Sequence, residues 1–211
     1  PPDSKAPGAA AADGGGELLA RVVVGEMGIG KTALVEAFVS ELPEGTTAYR
    51  VECSPVKIDL PYAAVSDLLR EVTGLAADVD FEAACEGVRT VLQSRRSPRA
   101  QRLVTRLAEL IVGKEVELQD EDAAAHHHDL VVHGVRLLFG TIADDAPVVI
   151  VIDGLQWADK VSLQVIKRLL ERSEATPVLT VLVTRSDERV NSYIEDMVRT
   201  ELRGLGADEQ V

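Results

Sequence analysis

Residues Gly25-Glu26-Met27-Gly28-Ile29-Gly30-Lys31-Thr32 fit G-x-x-x-x-G-K-[ST], and no other segment of the chain limits its fold so tightly. Glycines let a backbone curl until its N–H groups point inward at phosphate oxygens. A helix starting there adds the positive end of its dipole. The pattern places Lys31 to reach β- and γ-phosphates and the Thr32 hydroxyl to bind Mg²⁺. Phosphate contacts are expected from Gly25, Gly28, Ile29, Gly30, Lys31, Thr32 and Ala33. Four specified positions match by chance in a chain of this length on the order of 1% of the time. The flanks lower that further. Arg21-Val22-Val23-Val24 reads as a buried strand, and Leu34, Val35, Phe38, Val39 and Leu42 share one face of a following helix.

The remaining pattern is α/β. Thr47 to Cys53 alternates as a strand, and Pro61 opens a helix that ends at Gly74. Helices are predicted over 81–93, about 100–112 and about 124–143. Val148 to Ile152 is a continuous apolar run, the mark of a strand covered on both faces of a parallel sheet, and Val178 to Val183 reads as a second buried strand. Leu163, Ile166, Leu169 and Leu170 put a helix between them, another is predicted over roughly 190–199, and Glu201 to Leu205 reads as an edge strand. Strands alternating with helices imply a doubly wound parallel sheet. On this reading residues 1–16 are a flexible lead-in, 17–205 a nucleotide-binding domain, and 55–145 a mostly helical insertion within it. Gly16 to Leu19 resembles a helix start pressed against the Arg21 strand. A helix does not fit in that space, a reading under which residues of the natural chain are missing between 16 and 22.

Two strand ends carry polar groups. Asp153 follows Ile150-Val151-Ile152, and a carboxylate at the C-terminal edge of such a strand is placed to hold Mg²⁺ beside the phosphates. Alone, a strand-ending Asp is more often a turn cap; downstream of the glycine loop the metal role is favoured. Arg185 ends the Val181-Leu182-Val183-Thr184 run, where a guanidinium is suited to sensing a γ-phosphate.

Composition closes off other classes. A net charge of −13 opposes binding to a phosphate backbone, and 3% aromatics supply no stacking platform, so direct nucleic-acid binding through this segment is not expected. The basic run Arg95, Arg96, Arg99, Arg102, Arg106 is read as a solvated helix face. Cys53 and Cys85 are read as small buried residues rather than ligands or a disulfide. His126, His127, His128 and His133 are read as a solvated helix start, since neighbours along a helix point apart and cannot share one metal. Trp157 is expected to pack the loop after Asp153 against the next helix. With no apolar run of ~20 residues and no signal peptide, no membrane partner is expected and the cytoplasm is the default compartment. A chain that begins with Pro is expected to be a piece of a longer one.

Taken together, Gly25-Glu26-x-Gly28-x-Gly30-Lys31-Thr32, the block Asp153-Gly154-Leu155-Gln156-Trp157-Ala158-Asp159, the run Thr184-Arg185-Ser186-Asp187-Glu188 and the pair Pro61-Tyr62 resemble the AAA-type ATPase module of STAND signalling regulators. These include large ATP-binding LuxR-type and maltose-regulator-like activators, and similar modules are fused to adenylate cyclases and Ser/Thr kinases. The resemblance covers roughly residues 16–211. It implies a P-loop sheet of order 5-1-4-3-2, with the Arg185 strand between the glycine-loop strand and the Asp153 strand. It implies ATP/ADP and Mg²⁺ as ligands, a helical lid beginning near 206–211, and repeats or an effector domain as further parts of the full-length chain. A homo-oligomer, with an arginine contributed by a neighbouring subunit, is compatible with it.

One departure matters. The family usually carries two acidic residues at the end of the Asp153 strand, and the second orients the attacking water. Here that residue is Gly154. Without the carboxylate hydrolysis is expected to slow by a factor on the order of 10²–10⁴ unless another group substitutes. Asp159 and Glu26 are the candidates by sequence. The chain therefore reads as a Mg-ATP switch with slow turnover or as a nonhydrolysing ATP-bound scaffold. A P-loop phosphotransferase is third, because neither a lid arginine nor an acceptor site is identifiable. GTP is disfavoured, since Asn-Lys-x-Asp is absent and Asn191 is the only asparagine.

Overall fold

Val148-Val149-Ile150-Val151-Ile152 lacks polar alternation because both of its edges and both of its faces are covered. In the computed structural model, which describes residues 19–92, 98–114, 120–170 and 178–186, this run is an interior strand. The elements are β1 (Leu19–Gly25), α1 (Lys31–Ser40), β2 (Thr47–Glu52), α2 (Ala63–Thr73), α3 (Phe81–Val91), α4 (Pro98–Ile111), α5 (Glu121–Ala143), β3 (Val148–Asp153), α6 (Lys160–Leu170) and β4 (Val178–Arg185). The four strands are all parallel, in the order β1-β4-β3-β2. The Arg185 strand therefore lies between the glycine-loop strand and the Asp153 strand, as the resemblance implies. A fifth strand, the helix over 190–199 and the start of a lid fall outside the described residues.

The pleat sends alternate residues to opposite faces. Val149, Val151, Val181 and Val183 pack with Val35 of α1 in a small core on one face. Ile150, Ile152, Val178 and Leu182 join the larger core that α2, α4, α5 and α6 build on the other. Each fully buried Val, Ile or Leu is worth about 1.5–3 kcal/mol; Thr180 is the one polar residue buried within these two strands ahead of Thr184. Among the described residues, four α-helices, α2 to α5, stand between β2 and β3.

Two local features depart from the sequence reading. Leu19 belongs to β1 rather than to a helix start, while Gly16 to Leu18 fall outside the described residues. Within the basic run, Arg102 is exposed but Arg106 is half-buried and pairs with Glu109 at 2.8 Å; Arg95 and Arg96 lie outside the described residues. No helix among the described residues is long and apolar enough to cross a membrane.

Candidate functional site

The loop between β1 and α1 curls because two of its glycines take a backbone that other residues disfavour. Gly28 has φ 78° and Gly30 has φ 99°. Gly30 then stands at the N-cap of α1, whose first turn contains no acidic residue to compete for an anion. Lys31 folds back over this loop, donating from Nζ to the carbonyls of Gly25 (2.9 Å) and Glu26 (2.8 Å). The Thr32 hydroxyl donates to Asp153 Oδ2 at 2.9 Å.

Strand parity gathers the rest. Asp153 follows Val149 and Val151 on the α1 face of the sheet, and Arg185 follows Val181 and Val183 on that same face. Gly25 and Arg185 are register partners, and Ser186 N donates to Gly25 O at 3.2 Å, which fixes the tip of β4 beside the loop. The Arg185 guanidinium sits 5.9 Å from the centre of the Trp157 ring, a cation–π distance. Lys31, Thr32, Asp153 and Arg185 all line one open cleft of about 560 Å³, within the size range of small-ligand sites. Thr32 and Asp153 offer a hydroxyl and a carboxylate, the hard oxygen donors that Mg²⁺ takes. The residues present thus fit that ion.

Two side chains at this site escaped the sequence reading. Arg50 of β2 reaches Asp153 Oδ2 at 3.4 Å and Glu36 of α1 at 3.0 Å, and these carboxylates, Glu36 first, raise its pKa against the opposing effect of burial. Glu52 ends β2 as the register partner of Asp153 and lines the same cleft. The alternation of Thr47-Ala48-Tyr49-Arg50-Val51-Glu52 already put Arg50 and Glu52 on one face; what it lacked was the register that sets Glu52 opposite Asp153.

The two carboxylates weighed as substitutes for the missing acidic residue stand elsewhere. Asp159 is buried, with Oδ1 accepting from Tyr62 N and Ser162 N, both at 2.9 Å, and Oδ2 from Ala64 N at 3.3 Å. It caps the first turns of α2 and α6 together, so its lone pairs are committed to backbone and a catalytic role does not fit. Glu26 is exposed, and only its backbone carbonyl engages the loop lysine; its side chain is not among those lining the cleft. Gly154 adopts φ 69°, and a Cβ there would lie 2.9 Å from the Cys53 carbonyl oxygen. Burial pushes the Cys53 thiol up to about 12, so it presents no thiolate at neutral pH.

The histidines also differ from expectation. His127 is buried rather than solvated, its ring edge-on to Tyr62 with centroids 5.4 Å apart, and Tyr62 Oη lies 3.5 Å from His128 Nδ1. No group of three or more His, Cys, Asp or Glu suited to a metal occurs among the described residues.

No curated protein and no solved structure matches the chain. The model of the AAA ATPase domain matches residues 9–182. With the loop, the strand order and the paired Thr32 and Asp153 already in place, the chain belongs to the AAA ATPase domain family.

Proposed function

We propose that this chain is the Mg²⁺-ATP-binding module of a larger signalling regulator of the STAND type, in which the state of the nucleotide sets the conformation and hydrolysis is slow. The observation that carries this reading is the convergence of Lys31, Thr32, Asp153 and Arg185 on one cleft at the C-terminal edge of the sheet. Backbone N–H groups of the Gly28–Ala33 stretch bind the phosphates, and Lys31 exchanges its two loop carbonyls for phosphate oxygens. Thr32 and Asp153 hold Mg²⁺, which when bound neutralises phosphate charge. Arg185 reads the γ-phosphate, and that contact gives ATP and ADP different affinities for two arrangements of the module, as a switch requires.

Gly154 favours a second reading, an ATP-bound scaffold without turnover, because the water-orienting carboxylate is missing where the resemblance expects it. Further domains of the full-length chain and a homo-oligomer remain part of the first reading as partners. The test is ATP affinity and turnover with Mg²⁺ for the native chain and for Lys31→Ala. Binding lost in the variant with slow native turnover supports the switch. Binding lost with no native turnover supports the scaffold. Absence of binding in the native chain sinks both.

A further inference from the structure

Glu52 occupies a position with a physical drawback. Its register partner on the adjacent strand is Asp153, so two carboxylates project from paired positions on the same face. Like charges directly opposite each other destabilise a sheet, and Glu is already a poor strand residue. The other polar groups of the cleft have partners: Lys31 holds two carbonyls, Thr32 holds Asp153, Asp153 also takes Arg50, and Arg185 lies over Trp157. Glu52 is exposed and makes no hydrogen bond or ion pair among the described residues, yet it lines the cleft beside Asp153. Neither carboxylate considered from the sequence is available there, since Asp159 is locked as a double helix cap and Glu26 does not line the cleft. The backbone at Gly154 disfavours any side chain in its place.

We propose that Glu52 is the catalytic carboxylate of this site, orienting the water that attacks the γ-phosphate in place of an acidic residue at 154. The proposal rests on the Mg-ATP reading above. In the step, the water oxygen attacks the γ-phosphorus while the bond from that phosphorus to the β–γ bridging oxygen breaks. ADP leaves with the electron pair of that bond, and the water proton passes to the Glu52 carboxylate and then to the released phosphate. Arg50 pairs with the neighbouring Asp153, which offsets the repulsion between the two facing carboxylates.

The experiment pairs E52Q with the native chain, and measures MgATP affinity by fluorescent-nucleotide titration, phosphate release at saturating ATP, and the thermal melt. E52Q is expected to melt no lower than the native chain and to bind ATP like it, while its turnover falls by tenfold or more, toward about 10²-fold. E52D, which keeps the acid but draws it back by one methylene, is expected to fall between them and to bind ATP normally. The native chain binding no ATP would be seen in the titration alone, and overturns the site reading and this proposal together. Binding with no native turnover leaves the site reading standing and overturns the proposal. So does a fall in E52Q smaller than about tenfold, or a Mg²⁺-dependent loss of affinity with turnover per bound ATP unchanged, which would assign Glu52 to the metal.

Discussion

Thr32 Oγ1 donates a 2.9 Å hydrogen bond to Asp153 Oδ2, joining the first turn of α1 to the tip of β3 across 121 residues of chain. The same Oδ2 takes Arg50 at 3.4 Å. A cation held between the hydroxyl and the carboxylate must replace the first contact and compete with the second. Lys31 stands in the same relation to the loop, satisfied by carbonyls that phosphate oxygens would displace. These side chains thus already stand at one cleft, and a bound ligand would displace the partners they now hold.

Asp153→Asn keeps the shape and removes the charge. The Mg²⁺-dependent part of nucleotide affinity is expected to fall by about 10- to 100-fold, the equivalent of ~1.5–3 kcal/mol for a lost charged contact. Affinity measured with the metal chelated should change little. Titrating fluorescent ADP with and without Mg²⁺, in native and variant chains, checks the difference. Equal losses in both conditions would place Asp153 outside the metal contact.

Gly154→Ala should unfold at lower urea than the native chain. Its φ of 69° is a left-handed backbone, and the added Cβ would lie 2.9 Å from the Cys53 carbonyl oxygen. Strain of this kind costs about 1–3 kcal/mol. Gly154→Glu carries the same backbone penalty, so restoring the acidic residue by itself is expected to lower the urea midpoint without raising turnover. A variant as stable as the native chain would mean that the loop after β3 relaxes freely.

Asp159→Ala is expected to be among the most destabilising single changes outside the apolar core. It orphans the backbone N–H groups of Tyr62, Ala64 and Ser162, which begin two different helices. Losing caps and leaving buried donors unpaired costs about 2–4 kcal/mol in combination. Asp159→Asn restores part of this, since one amide oxygen still accepts while the amide NH₂ faces donors. Urea unfolding of the three chains gives the ranking. Nucleotide affinity at a temperature where all are folded should be unchanged.

Local chemistry and, through the resemblance, strand order were readable in the sequence; register and long-range side-chain partners were not. The glycine loop, the two apolar strands and the helix boundaries follow from positive-φ glycines, continuous burial and 3.6-residue periodicity. Lys31, Thr32, Asp153 and Arg185 could be named as candidates from the sequence because each sits at the end of such an element, and they line one cleft. Arg50 and Glu52 could not, because their meaning depends on the register of β2 against β3, which sets Glu52 opposite Asp153. Asp159 was misjudged because its partners Tyr62 and Ala64 are 97 and 95 residues away. His127 was misread because a His triplet looks solvated until Tyr62, at the start of α2, is set against it.

Stability should decline as the solution is acidified below about pH 6.5, and His127 should account for part of the decline. Burial lowers its pKa below the ordinary value of 6.5; the Arg106 and His128 charges act in the same direction, and Glu109 opposes them. Its Nδ1 is buried with no hydrogen-bond partner, so burial outweighs the Glu109 charge that favours a second ring proton. The unfolded chain therefore binds the proton first. Stability from this group is complete above the unfolded value and is lost as the pH falls from there toward the lower folded value, below which it loses no more. His127→Phe keeps the edge-on contact with Tyr62 and removes the titration. We expect the variant's urea midpoint to fall less than that of the native chain between pH 7 and pH 5. His128, also lowered chiefly by burial, leaves a residual slope. Parallel pH profiles for the two chains would show that His127 is not the group that resists protonation.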